Sequence, residues 1–394
     1  MAELNAKGDN IFCVSEFKPW PQPEELRIPI AKPVFSSQER KNLNKVLDST
    51  WVGANGQFCQ YSEKFIDDYF QAKSLLVSNG SVAITLALTA LGIGKGDEVL
   101  IPDLTFAATA SSVIATGATP ILCDVEIDSW AISLEDIRKK TSSRSKAIIL
   151  VHLYGMPGDV GKVLSFANQH KLHVVEDTAE SFGAEYQGSK VGTFGDVGTF
   201  SFFPNKLITS GEGGAVITKD EDVFNRMKLL RGQGMDPNNR YYFLEPGFNF
   251  RMSELQAAIL AAQLYSLENL REMRRASEEM HEKYLNEIAL IPSGNYHYQR
   301  SPWLFTARFP GISYQAKLKM AQLLANAGYE TRPVFYPLSQ MPAFRKFRNG
   351  LCANSDRISR EGISLPTGSH LAEADYSKIS EIIRGFVDKS QRNL

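Results

Sequence analysis

From Arg27 onward, short apolar runs alternate with longer mixed stretches. The runs SLLV (74–77), EVLI (98–101), TPILC (119–123), AIILV (147–151) and HVVE (173–176) have the length and composition of strands. The stretches 81–92, 107–117 and 159–170 between them have the texture of helices. This alternation predicts an α/β fold over residues 27–252, a mostly parallel or mixed sheet between helices on both faces. Near residue 253 the texture changes. SELQAAILAAQLYSLENLREMRRASEEMHEKYL sets apolar residues at helical spacing against a charged face, which predicts one long connecting helix over 253–289. A smaller α+β domain is expected over 290–394, with a strand-like WLFTARF (303–309) and helices near 315–327 and 374–387. Residues 1–26 are largely polar, contain Pro19, Pro21 and Pro23, and read as an N-terminal extension.

Composition narrows the function classes. At 43% hydrophobic and 22% charged, the 394 residues are those of an ordinary globular protein, which excludes the disordered and fibrous classes. Lys plus Arg number 43 and Asp plus Glu 44, so the chain lacks the basic excess of a nucleic-acid binder. No apolar run approaches the roughly 20 residues that span a bilayer, so no membrane span is expected. The four cysteines, Cys13, Cys59, Cys123 and Cys352, lie far apart, and no histidine stands at zinc-site spacing from them. No metal site and no structural disulfide are expected. MAELNAKGDN at the start lacks a signal-peptide core, and the expected location is the cytoplasm.

Three local features carry candidate chemistry. Ser78-Asn79-Gly80-Ser81 follows the strand SLLV and opens the apolar helix VAITLALTAL. A helix N-terminus behind a small-residue turn offers free N–H groups to a phosphate; an ordinary cap by Asn79 or Ser81 accounts for the same turn. Asp177 ends the strand HVVE, at the edge where open α/β sheets bind ligands, though a helix cap there is equally ordinary. In GTFSFFPNKLITSGEGG (198–214), Lys206 stands between the strand TFSFF and a glycine turn that precedes the strand AVIT. Desolvation there would lower its pKa and favour the neutral amine that forms Schiff bases; a surface lysine in a hairpin is the alternative. A phosphate cradle, a strand-end aspartate and a loop lysine together are the parts that hold pyridoxal 5′-phosphate.

The ordered motifs SNGSVAI (78–84), IPDLTFAATA (101–110), VHLYG (151–155), VEDTAESFGA (175–184), FSFFPNK (200–206), GEGGAVIT (211–218), GFNFRMSELQAAI (247–259) and ETRPVFYP (330–337) span nearly the whole chain after the arm. In these the chain resembles the sugar aminotransferases of the DegT/DnrJ/StrS family, which have the aspartate-aminotransferase (fold type I) architecture. The resemblance implies a pyridoxal phosphate cofactor, with Lys206 as the Schiff-base lysine and Asp177 as the partner of the pyridinium nitrogen. It implies that Phe106 stacks on the cofactor ring, that Gly80, Ser81 and Ser201 contact the phosphate, and that Glu180 stands where relatives often have Gln or His. It also implies a homodimer in which Asn249 reaches the phosphate of the other subunit. From the residues alone, Phe106 could equally anchor its loop, and Asn249 could cap the following helix.

Two positions depart from the family pattern: Gln233 in LRGQGMDP and Ser339 in FYPLSQMP stand where many relatives have His. The segment around Ser339 approaches the sugar in the family, so this departure bears on the substrate. Lys206 is retained, whereas relatives that dehydrate sugars carry His in its place. STWVGANGQF, GQGMDPNNRYY and ETRPVFYPLSQMP look most like the GDP-perosamine-forming branch of the family. The implied reaction converts a nucleotide-linked 4-keto-6-deoxy sugar to the 4-amino sugar, with glutamate as donor. Arg332 and Tyr336 are candidate sugar-nucleotide contacts, Arg332 by its match to a diphosphate; a surface salt bridge explains Arg332 as well. A UDP- or dTDP-linked substrate, or a cofactor-binding regulator without catalysis, remains open from the sequence.

Overall fold

A computed structural model describes residues 19–391. Cys13 and most of the expected N-terminal extension lie outside them. The remainder of that extension is anchored by Trp20, whose indole N–H donates to Thr331 O at 3.0 Å.

Two helices, α1 (Ser37–Ser49) and α2 (Gln57–Phe70), precede the sheet and were not singled out by the apolar pattern. There follow β1 (Lys73–Val77), α3 (Gly80–Ala90), β2 (Glu98–Pro102), α4 (Ala108–Ala115), β3 (Thr119–Cys123), α5 (Leu134–Lys140), β4 (Ser145–Val151), α6 (Val160–His170) and β5 (His173–Asp177). Then come β6 (Val197–Ser201), β7 (Gly214–Thr218) and α7 (Glu221–Arg231). The seven strands form one sheet in the order β1-β7-β6-β5-β4-β2-β3. It is parallel except for β7, which runs against both its neighbours. The apolar runs read from the sequence are therefore strands, and the helical stretches between them are the crossovers that parallel pairing requires. Every residue of β2 and β7 is buried, as expected for strands covered on both faces.

The stretch expected as one long helix is two, α8 (Glu254–Tyr265) and α9 (Leu267–Leu285), broken at Ser266. The apolar period runs through the break because a single residue outside helical geometry leaves it nearly in phase. The two halves do different work. Helix α8, rich in alanine, packs against α1 and α2, and Leu260 and Leu264 join the core around Phe200 and Phe202. Helix α9 is charged on one face and ends at Leu285, in the core of the C-terminal region.

That region holds a three-stranded antiparallel sheet in the order β8-β10-β9, from β8 (Thr306–Arg308), β9 (Arg332–Pro333) and β10 (Gly362–Ser364). Helices α10 (Tyr314–Asn326), α11 (Ala353–Glu361) and α12 (Glu373–Gln391) complete it. Only Thr306–Arg308 of WLFTARF pairs as a strand; Trp303 and Phe305 precede it as buried side chains.

Candidate active site

The parallel strands β2, β4, β5 and β6 end on one edge of the sheet, and a cavity of about 560 Å³ opens there. Gly80, Ser81, Phe106, Asp177, Glu180, Ser201 and Lys206 all line it. The sheet gathers them: Asp177 closes β5, Ser201 closes β6, the turn after β1 starts α3, and Lys206 lies between β6 and β7.

At one end, Gly80 lets the start of α3 rest against β6. A Cβ on Gly80 would stand 2.8 Å from the Ser201 Cβ, closer than real Cβ contacts come. Asn79 is the helix cap, its Oδ1 accepting the Val82 N–H at 2.9 Å. Cap and anion site are thus compatible. Capping occupies Val82, while the amides of Gly80 and Ser81 have no acceptor within their own helix, and both residues line the cavity with Ser201.

At the other end the charges are buried. Asp177 Oδ2 accepts from Thr109 Oγ1 and Oδ1 from the Ala179 N–H, both at 3.2 Å. Burial pushes the Asp177 pKa up. No cation lies within ion-pair distance of it among the described residues. Glu180 Oε2 accepts the Tyr154 N–H at 2.9 Å, and Oε1 lies 3.7 Å from Lys206 Nζ, an ion-pair contact too long for a hydrogen bond. Burial raises the Glu180 pKa to about 7, against the pull of Lys206. Burial also lowers the Lys206 pKa, against the attraction of Glu180 and Asp177. The Lys206 amine sits 4.0 Å from the centre of the Trp303 ring, and the Trp303 indole N–H donates to Asn205 O at 2.9 Å.

These residues fit a pyridoxal phosphate. The helix start beside Ser201 suits its phosphate, and a buried carboxylate short of donors suits a ring N–H. A buried amine of lowered pKa suits its aldehyde. Asn205 Oδ1, buried with no partner, adds an unfilled acceptor at the cavity.

Arg332 and Tyr336 do not line this cavity, and neither does Asn249, which the resemblance assigns to the other subunit's phosphate. Asn249 is exposed and lines a separate outer hollow with Gln233 and residues 243–247. Arg332 is exposed and ion-paired with Glu330, and the Tyr336 hydroxyl lies 3.3 Å from that of Tyr314; neither lines the cavity. Phe335 does, with its ring 5.7 Å from Phe106, because successive side chains of an extended segment face opposite ways. Ser339 is also turned away from the cavity: its N–H and hydroxyl donate to the Asp103 carboxylate at 2.7 and 2.8 Å. Sequence reasoning missed Trp303, Phe335, Asn205 and Tyr154. VHLYG, FSFFPNK and ETRPVFYP contain three of them, but contact between residues far apart in the chain leaves no local signal.

The DegT/DnrJ/EryC1/StrS aminotransferase family matches residues 33–384. A GDP-perosamine synthase of Caulobacter vibrioides is 39% identical over 360 residues, covering 90% of this chain and 96% of that protein. A GDP-perosamine synthase of Escherichia coli O157:H7 is 37% identical over 361 residues, covering 91% and 98%. Among solved structures, a DegT DnrJ EryC1 StrS aminotransferase from Brucella abortus superimposes with a TM-score of 0.82 at 28% identity, covering 89% of this chain and 95% of that one. The chain belongs to the DegT/DnrJ/EryC1/StrS aminotransferase family.

Proposed function

We propose that this chain is a pyridoxal phosphate-dependent aminotransferase that converts a GDP-linked 4-keto-6-deoxy sugar to its 4-amino sugar, with glutamate as donor. The observation that carries the chemistry is the buried Lys206 amine, 3.7 Å from the Glu180 carboxylate and in one cavity with Asp177. The relatives named above carry the choice of sugar. When bound, the cofactor supplies an aldehyde that captures amines and a ring that accepts electron density from the neighbouring carbon.

The chain's own residues do the rest. The start of α3 and the Ser201 hydroxyl bind the phosphate. Asp177, buried and accepting only from Thr109 and Ala179, would hold a proton on the ring nitrogen. Phe106 covers the flat ring. Lys206 Nζ, whose hold on its proton burial weakens, takes a proton from the donor's α-carbon and later delivers one to the sugar carbon. Trp303 keeps water from the amine. Glu180, with a pKa of about 7, holds or releases a proton beside Lys206 as the amine changes charge.

The active assembly is a homodimer in this reading. Tyr241, Tyr242, Phe243 and Leu244 are all more than half exposed, and Asn249 stands exposed on the same loop system. A second copy would cover that apolar run and take up Asn249 as a phosphate contact. A cytoplasmic location suits the three described cysteines, all buried and unpaired. No helix among the described residues is long and apolar enough to cross a membrane.

The test offers GDP-, UDP- and dTDP-linked 4-keto-6-deoxy sugars with glutamate and follows amino-sugar formation by mass and 2-oxoglutarate release. Amination of the GDP sugar, with 2-oxoglutarate in equal amount, is the expected result. Preference for the UDP or dTDP sugar would move the substrate. Cofactor binding without any amination would leave a regulator.

A further inference from the structure

Tyr154 follows β4 in the left-handed region, at φ 49° and ψ 38°, although it carries a large side chain. It is 1% exposed. A conformation of this kind persists only when the surroundings hold it from several sides, and here they do. The Tyr154 N–H donates to Glu180 Oε2 at 2.9 Å, and its carbonyl accepts from Arg300 at 3.4 Å. Its hydroxyl accepts the Phe335 N–H at 3.2 Å. Its ring stacks on Trp303 at 5.5 Å and on Phe335 at 5.3 Å between centres, inclined by 21° and 20°. Gly155, also left-handed at φ 77°, lets the chain at Ser301 come close: a Cβ there would lie 1.9 Å from Ser301 O. The Ser301 N–H in turn donates to Gly155 O at 3.1 Å.

Two segments of the C-terminal region, 300–303 and the residue at 335, thus meet the sheet domain at this one turn. Each carries an aromatic ring into the cavity: Trp303 over the Lys206 amine, Phe335 beside Phe106. Glu180, bonded through Oε2 to the Tyr154 N–H, reaches the same amine with Oε1. We propose that Tyr154 is a positioning residue that keeps Phe335 and Trp303 in register with Glu180 and Lys206, so that the sugar-nucleotide wall and the amine are set by one residue, the first through its ring and hydroxyl and the second through its backbone N–H as well. The part about the sugar nucleotide rests on the function proposed above.

Tyr154→Phe separates the two halves of this role. It removes the acceptor of the Phe335 N–H while leaving the ring stack and the backbone bond to Glu180. The expected result is an apparent KM for the nucleotide sugar raised about fivefold to tenfold, the size of a lost buried hydrogen bond. The fall in kcat should be the smaller factor. Hydrogen exchange of the Phe335 amide should quicken in the cofactor-free protein. Tyr154→Asn, whose side chain tolerates the left-handed region, removes the ring as well. It should further change the pH at which Lys206 loses its proton, because Trp303 loses its support. Wild-type KM and wild-type exchange at Phe335 in the Phe variant would overturn the proposal. So would equal losses in KM and kcat that track a lowered melting temperature, since those mark a structural role only. Should the wild type aminate no keto sugar, the proposed function fails, while exchange at Phe335 still decides whether Tyr154 holds that segment.

Discussion

Glu176 and Glu180 lie four residues apart around the end of β5, both buried, and their surroundings treat them oppositely. Glu176 sits in a closed pocket. It accepts from the Gly192, Phe194 and Gly195 N–H groups at 2.8 Å each, and His152 Nε2 lies 3.0 Å away. Burial alone would raise its pKa, but His152 and the backbone donors outweigh burial and hold it below the usual range. Glu180, in the cavity, has one backbone donor and a distant lysine, and burial wins. The contrast repeats with Asp124, which accepts from the N–H groups of Asn354 and Ser355 and from the Ser355 hydroxyl, against the sparsely bonded Asp177. A carboxylate whose acceptors are filled belongs to the scaffold. A buried one left short is kept for something that arrives.

Substitutions turn this contrast into measurements. The largest effect is expected at Lys206→Ala, which should lower turnover by more than about 10³-fold. The cofactor would then be retained only noncovalently, so borohydride would no longer fix it to the protein. Normal amination by that variant would end the functional reading. Asp177→Asn should cost about 10²- to 10³-fold in kcat with little change in melting temperature. Glu176→Gln should do the reverse: about 2–4 kcal/mol of stability lost in denaturant unfolding, with the kcat of the folded enzyme within about twofold of wild type. The smallest effect concerns Glu180. Its folded pKa of about 7 lies above the ordinary 4.5, so between those values the folded state binds the extra proton. Its contribution to stability is therefore complete below pH 4.5 and is lost as pH rises through about 7, by about 3 kcal/mol at most. Melting of the cofactor-free protein between pH 5 and 8 should show this slope in the wild type and lose it in Glu180→Gln.

Much of the sheet was legible because buried parallel strands are nearly continuous apolar runs: TPILC is the observed β3 residue for residue. The Ser266 break was hidden, since apolar spacing reports which face is buried and not whether the backbone stays helical. In the cavity, the residues on strand ends and their turns were readable from Asp177, Gly80 and Lys206, because local order places them. Trp303 and Phe335 come from another part of the chain, and only packing brings them in. Arg332 and Tyr336 stood out by their charge and hydroxyl, whereas the phenylalanine between them, which lines the cavity, gave no chemical signal in the sequence. Ser339 stood out as a departure, but its hydroxyl bonds to Asp103 instead of facing the cavity.

The reversed strand β7 has a mechanical consequence. Because it turns back beside β6, the loop carrying Lys206 is clamped at both ends, Ser201 pairing with Gly214 and the Phe202 N–H donating to Gly213 O at 2.8 Å. The backbone at the lysine is on a short leash, and the four-carbon side chain supplies the remaining travel. For the proton transfer proposed above, Lys206 therefore needs only to swing about its own bonds, while its mounting stays still.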